Sequence, residues 1–165
     1  MKKSATKRRD KTLSIAVIIE DPQWREKSPA IARLLRRAVA ASLKAARAQA
    51  KSRLTILLGS DARLRKLNGT FRGKNAATNV LSFPAQGDAH YLGDVAIAYG
   101  VTAREAAAAS KSFADHAAHL AVHGTLHLLG YDHVRAREAG EMENLERRIL
   151  AGLGIADPYA AREAA

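Results

Sequence analysis

The chain has 165 residues and no cysteine, which rules out disulfides and thiolate metal ligands and accords with a reducing compartment. Its length fits a single domain with a sizeable core. A formal charge of +11 attracts polyanions, because each phosphate it neutralises releases counterions, and no stretch approaches the ~20 apolar residues of a membrane span. A cytoplasmic, membrane-free protein is expected.

Residues 1–11 read as a disordered basic arm, with Lys2, Lys3, Lys7, Arg8, Arg9 and Lys11 set against Asp10. The remainder is still net positive, which favours nucleic acid over a solubility tail. The apolar run from Leu13 to Ile19 superficially imitates a signal peptide. It leads, however, into Glu20, Asp21 and Pro22 with no small-residue cleavage pattern, so it reads as a β-branched strand. The folded domain is placed at residues 12–157. A helix is expected from about Pro29 to Ala50, with Ser28 as N-cap. Its apolar stripe (Ile31, Leu34, Leu35, Ala38, Val39, Leu43) lies opposite Arg33, Arg36, Arg37, Lys44 and Arg47. Leu54 to Leu58 reads as a second strand. Ser60 then caps a short helix, Asp61 to Leu67, ending near Asn68-Gly69.

Thr78 to Phe83 is the third expected strand, and a loop from Ala85 to His90 leads to the fourth, Asp94 to Tyr99. That short link predicts an antiparallel pair, while the helical crossovers predict parallel neighbours, hence a small mixed sheet of about four strands in an α+β fold. A helix from Thr102 to about Ala109 precedes Ser112-x-x-Asp115, a capping-box pattern that opens a helix running to about Leu129. A last helix covers Val134 to Leu153, and residues 158–165 read as a frayed tail.

The chemistry concentrates in HGTLHLLGYDH, His123 to His133. His123 and His127 are four apart, so on a helix their Cβ atoms lie roughly 5–6 Å from each other, close enough to share a zinc at about 2.0–2.1 Å. Gly130 offers a left-handed stop to the helix, after which the chain can turn back and present His133. Three ligands leave one tetrahedral position open, the mark of a catalytic rather than a structural zinc. A His119/His123 pair is also geometrically possible, but it would strand His133. The spacing H-x3-H-x5-H is that of zincin peptidases, yet Gly124 occupies the place of the glutamate that activates water there. Peptide hydrolysis therefore loses its central group.

Thr70-Phe71-Arg72-Gly73-Lys74 is expected to be a loop between a helix and the third strand. Arg72 offers a planar fork for phosphate oxygens and Lys74 a point charge, which makes both candidate nucleic-acid contacts. Asp132 beside His133, and Asp94 at the start of the fourth strand, are candidate acceptors behind a ligating imidazole.

Taken together, LNGTFRGKNAATNVLSFP (Leu67 to Pro84), LGDVAI (Leu92 to Ile97), AHLAVHGTLHLLGYDH (Ala118 to His133) and the helix bearing Met142-Glu143 resemble the YbeY family of bacterial zinc-dependent endoribonucleases, over most of residues 54–154. The resemblance implies one zinc per chain held by His123, His127 and His133, with Arg72 as a catalytically important residue facing the ion and His119 outside the ligand set. It also implies single-stranded RNA as substrate, processing of the small-subunit 16S rRNA 3′ end, ribosome quality control, and the ribosome or its proteins as partners. The family pattern has Asp after RGK where this chain has Asn75. A rival reading is a non-enzymatic ribosome assembly factor that binds RNA and carries a structural zinc, favoured by the lack of an evident general base and disfavoured by the open coordination position.

Overall fold

The computed structural model describes residues 14–49 and 52–160. The basic arm, the expected helix end at Ala50 and the last five residues lie outside them. Among the described residues, strands β1 (Ile15–Ile19), β2 (Arg53–Gly59), β3 (Val80–Pro84) and β4 (Tyr91–Ala98) form one sheet in the order β1-β2-β4-β3. β1 and β4 each run parallel to β2, and β3 runs antiparallel to β4 along the open edge. The mixed sheet read from the link lengths is present. No helix among the described residues is long and apolar enough to cross a membrane.

The helices are α1 (Gln23–Lys27), α2 (Ile31–Ala45), α3 (Asp61–Arg72), α4 (Tyr99–Ala108), α5 (Phe113–Leu128) and α6 (Ala136–Gly152). α5 lies on β3 and β4 and is flanked by α2 and α6. Its buried Ala117, Ala118, Ala121, Val122 and Leu126 share one core with Leu35, Ala38 and Val39 of α2 and with Leu145, Ile149 and Leu150 of α6. The alanines keep the helix axes close, so α5 is enclosed except towards its C-terminal end. On the other face of the sheet Leu64 of α3 packs with Leu81, Ala96 and Ala98. The basic face of α2 stays in solvent, with Arg33, Arg36, Arg37 and Lys44 exposed, as is Arg47 just past the helix end.

Several boundaries differ from the sequence expectation, each for a local reason. α1 was not anticipated: the Asp21 carboxylate accepts the Gln23 N–H at 3.0 Å, and the turn buries Trp24 completely. Ser28 consequently ends α1 instead of capping α2, which starts at Ile31 after Ala30 with no side-chain cap. α4 begins at Tyr99, earlier than Thr102, because the Asp61 carboxylate accepts the Val101 N–H at 3.0 Å and supplies the cap from another element. β4 correspondingly spans Tyr91–Ala98, and β3 includes Pro84, which an edge strand tolerates. α6 starts at Ala136 and leaves Val134 80% exposed.

The largest revision concerns Asn68-Gly69. Read as a stop, this pair instead lies inside α3, which continues to Arg72 and ends at Gly73 with φ 66°. Asn68 is buried and its amide donates to the Ala76 carbonyl at 2.9 Å, so its polarity is satisfied within the fold. Thr70, Phe71 and Arg72 are therefore helical, and Arg72 projects from a rigid element.

Trp24 joins α1 to the start of α5. Its indole N–H donates to the Gly59 carbonyl at 3.0 Å, and its ring lies 5.0 Å from Phe113 and 5.7 Å from Tyr99. Trp24→Ala is expected to cost about 3–5 kcal/mol, read as a lowered urea midpoint; an unchanged midpoint would show that the Trp24 cluster does not anchor α5.

Candidate metal centre

α5 opens as its sequence predicts: Ser112 Oγ accepts the Asp115 N–H at 3.1 Å. At the other end Gly130 adopts φ 94°, and the Tyr131 N–H returns to the Leu126 carbonyl at 3.0 Å. Only a residue without Cβ takes that turn freely. The reversal carries the chain back, and the ligand atoms of His123, His127 and His133 come within 4.8 Å of one another. His123 and His127 are half-buried, whereas His133 is exposed.

The ring partners fix the tautomers. His127 Nδ1 donates to the Tyr131 carbonyl at 2.9 Å, since a carbonyl can only accept. His123 Nδ1 donates to Glu146 Oε1 at 2.6 Å. Burial works to raise Glu146, yet hydrogen bonds from His119 and His123, the charge of His123 and a hydrogen bond from Tyr159 hold it down at about 2, so it is an ionised acceptor. With a proton on each Nδ1, the two Nε2 atoms face each other at 3.0 Å, a separation that is favourable only with a shared proton or a metal cation between the rings. Burial and the neighbouring His123 push the His127 pKa below its ordinary value, which keeps the ring neutral and its lone pair available. The donor set is therefore one that suits a borderline-soft divalent ion.

The packing at Gly124 explains why no glutamate follows His123. A Cβ there would stand 2.5 Å from Val95 Cγ1 and 3.1 Å from Ser82 Oγ. The Gly124 carbonyl accepts the Ser82 hydroxyl at 2.9 Å. The position faces the sheet, not the cleft, and α5 sits against β3 and β4 at near-backbone contact.

The histidines border a cleft of about 640 Å³, lined also by Arg72, Thr78, Asn79, Ser82, Asp132 and Val134. An Arg72 Nη donates to the Ser82 carbonyl at 3.0 Å, which ties α3 to the edge strand and aims the guanidinium along the cleft wall. The structure thus brings Arg72 to the three histidines. The other candidates stand apart from the imidazole cluster. Lys74 is exposed and does not line the cleft. Asp132 lines it, but its carboxylate accepts the His133 backbone N–H at 2.7 Å, with no imidazole as partner. It shapes the turn. Asp94 is exposed and receives the Tyr91 hydroxyl. Strand alternation puts it on the face opposite Val95, away from α5. His119 points to Glu146 at 2.9 Å and stays outside the cluster. Glu146 itself was missed as a partner of the histidines. The signal was present, because Glu146 interrupts the apolar stripe Met142, Leu145, Ile149, Leu150, and a buried carboxylate requires partners.

Fold and cluster together define an α+β protein of zincin-like spacing with a three-histidine metal-type site on a helix and its following turn. The model of the family described as Endoribonuclease YbeY matches residues 18–154. Proteins named Endoribonuclease YbeY from Rhodopseudomonas palustris and Parvibaculum lavamentivorans are 48% and 46% identical, over 90% of this chain in both cases and 91% and 86% of theirs. One from Nitrobacter hamburgensis is 55% identical over 67% of this chain and 63% of its own. A solution structure from Thermotoga maritima, at 21% identity, superposes with a TM-score of 0.58 over 84% of this chain and 91% of that one, a likeness of fold alone. The chain belongs to the YbeY family.

The close approach at Gly124 is testable. Gly124→Ala is expected to destabilise by about 1–3 kcal/mol. Adding Val95→Ala should recover part of that loss, so a double-mutant cycle by urea unfolding yields a favourable coupling; strictly additive losses would place the strain elsewhere.

Proposed function

We propose that the chain is a zinc-dependent endoribonuclease that cuts single-stranded RNA in the cytoplasm during rRNA maturation, at the small-subunit 16S rRNA 3′ end. It serves ribosome quality control through contact with the ribosome or its proteins. Membership of the Endoribonuclease YbeY family supports RNA cleavage in rRNA maturation as the activity. The observation that carries the reading is the meeting of the His123 and His127 Nε2 atoms with a third histidine at the wall of a cleft that also presents Arg72.

His123, His127 and His133 would hold one zinc ion. Bound there, zinc supplies Lewis acidity at a phosphodiester and a lowered pKa for water. The other groups act on the substrate directly. Arg72 is anchored by a single donor to Ser82, so its remaining N–H groups are available to phosphate oxygens. Charge accumulating on the phosphorus centre is met by a guanidinium already in place, an effect worth a few kcal/mol in comparable sites. Asp132 is the one carboxylate among the lining residues, and its engagement at the His133 amide limits its repulsion of a polyanion. Outside the cleft, exposed Arg65, Lys66 and Lys74 extend a cationic approach along α3 and its end. These charges contribute affinity that falls with salt and carries no sequence preference. A glutamate base in the zincin position is sterically refused at Gly124, which removes the peptidase alternative.

His127→Ala is expected to abolish metal uptake and reduce cleavage of a defined single-stranded RNA to background. Arg72→Glu is expected to leave zinc content intact, measured by elemental analysis of purified protein, and to slow cleavage by about 100-fold or more. Undiminished cleavage by thoroughly metal-free protein would overturn the scheme.

A further inference from the structure

The polar network behind His123 reaches well beyond the cleft. Glu146 is fully buried, with 0% exposure. One of its oxygens receives His123 Nδ1 at 2.6 Å. The other receives His119 Nε2 at 2.9 Å and also the hydroxyl of Tyr159. Tyr159 belongs to the segment after α6, which the sequence reading took as a frayed tail from residue 158. Its described part is pinned instead. The Ile155 N–H donates to the Leu150 carbonyl at 2.9 Å, and Lys111 Nζ donates to the Pro158 carbonyl at 2.9 Å. Arg147 bonds Asp157 at 3.2 Å and lies 5.3 Å from the Tyr159 ring centroid.

This arrangement has a directional consequence. A carboxylate can rotate about its final bond and trade one acceptor for the other. Donors on Oε2 from α5 and from the C-terminal segment block that rotation and leave Oε1 committed to His123. His123 in turn can rotate or flip only by leaving a buried anion unsatisfied, which is costly. An anionic acceptor on Nδ1 also makes Nε2 a stronger donor to a metal ion.

We propose that Glu146, held in place by His119 and by the C-terminal Tyr159, is a positioning residue that fixes the metal-facing Nε2 of His123, so that the 155–159 segment is a working part of the metal centre. The proposal rests on the metal reading above. No element of it requires RNA.

The test uses full-length wild type, Glu146→Gln and Tyr159→Phe, with zinc affinity measured by competition against a chromophoric chelator. Melting of the metal-free proteins and the visible spectrum of the cobalt(II)-loaded forms are recorded in parallel. Glu146→Gln is expected to weaken zinc binding by about 10- to 100-fold. Tyr159→Phe removes one hydroxyl from outside the cleft and is expected to weaken it by roughly 2- to 12-fold, the worth of one hydrogen bond. Both should shift the cobalt spectrum, because the His123 ring changes its angle at the ion. A zinc-binding wild type matched in affinity and spectrum by both variants overturns this proposal alone, as does a lowered melting temperature with metal affinity unchanged. A wild type that takes up no zinc overturns the metal reading and this proposal with it.

Discussion

The architecture depends on how closely α5 lies on the sheet. Gly124 leaves no room for a methyl group between the helix and Val95, and its carbonyl takes a hydrogen bond from Ser82. That contact sets the depth of α5, and with it the height at which His123 and His127 emerge at the cleft beside β3. A bulkier residue would lift the helix away from the edge strand. Arg72 is registered to the same strand through the Ser82 carbonyl, so one residue of β3 positions both the helix bearing the imidazoles and the guanidinium that faces them.

Electrostatics then separates two parts of the molecule. The interior holds a negative charge at Glu146, tolerated because imidazole and phenol donors saturate it. It draws a proton of His123 to the inner nitrogen, as the Tyr131 carbonyl does for His127, and leaves both Nε2 atoms turned to the cleft. The surface carries the opposite sign, with α2 and α3 presenting exposed arginines and lysines. Between them the cleft is lined by Arg72 and, among the described residues, one carboxylate. A polyanionic chain would be drawn to the surface and meet, at the cleft, imidazole nitrogens rather than repelling carboxylates.

Much of the site was legible because it is local. The four-residue spacing of His123 and His127 is a property of any helix, and Ser112 and Gly130 mark where that helix starts and stops. The strands followed from β-branched runs and the mixed pairing from the lengths of the links between them. The misreadings arose where a distant residue satisfied a local polar group. Asn68 looked like a turn until Ala76 supplied its partner. Tyr99 looked like the end of a strand until Asp61 capped the helix it begins. Asp94 and Asp132 looked like partners for an imidazole, but a tyrosine hydroxyl and a backbone amide lay nearer.

The sequence by itself determined the helix that carries two histidines, the turn that returns a third, and the excess of positive charge. These depend on residue types and spacings within a turn or two of chain. Tertiary structure alone decided which ring nitrogens carry protons, that Arg72 rides on a helix facing the cleft, and that Tyr159 closes over Glu146. Those outcomes join residues brought together from separate elements, and a hydrogen bond is set by distance in space, on which separation along the chain has no bearing.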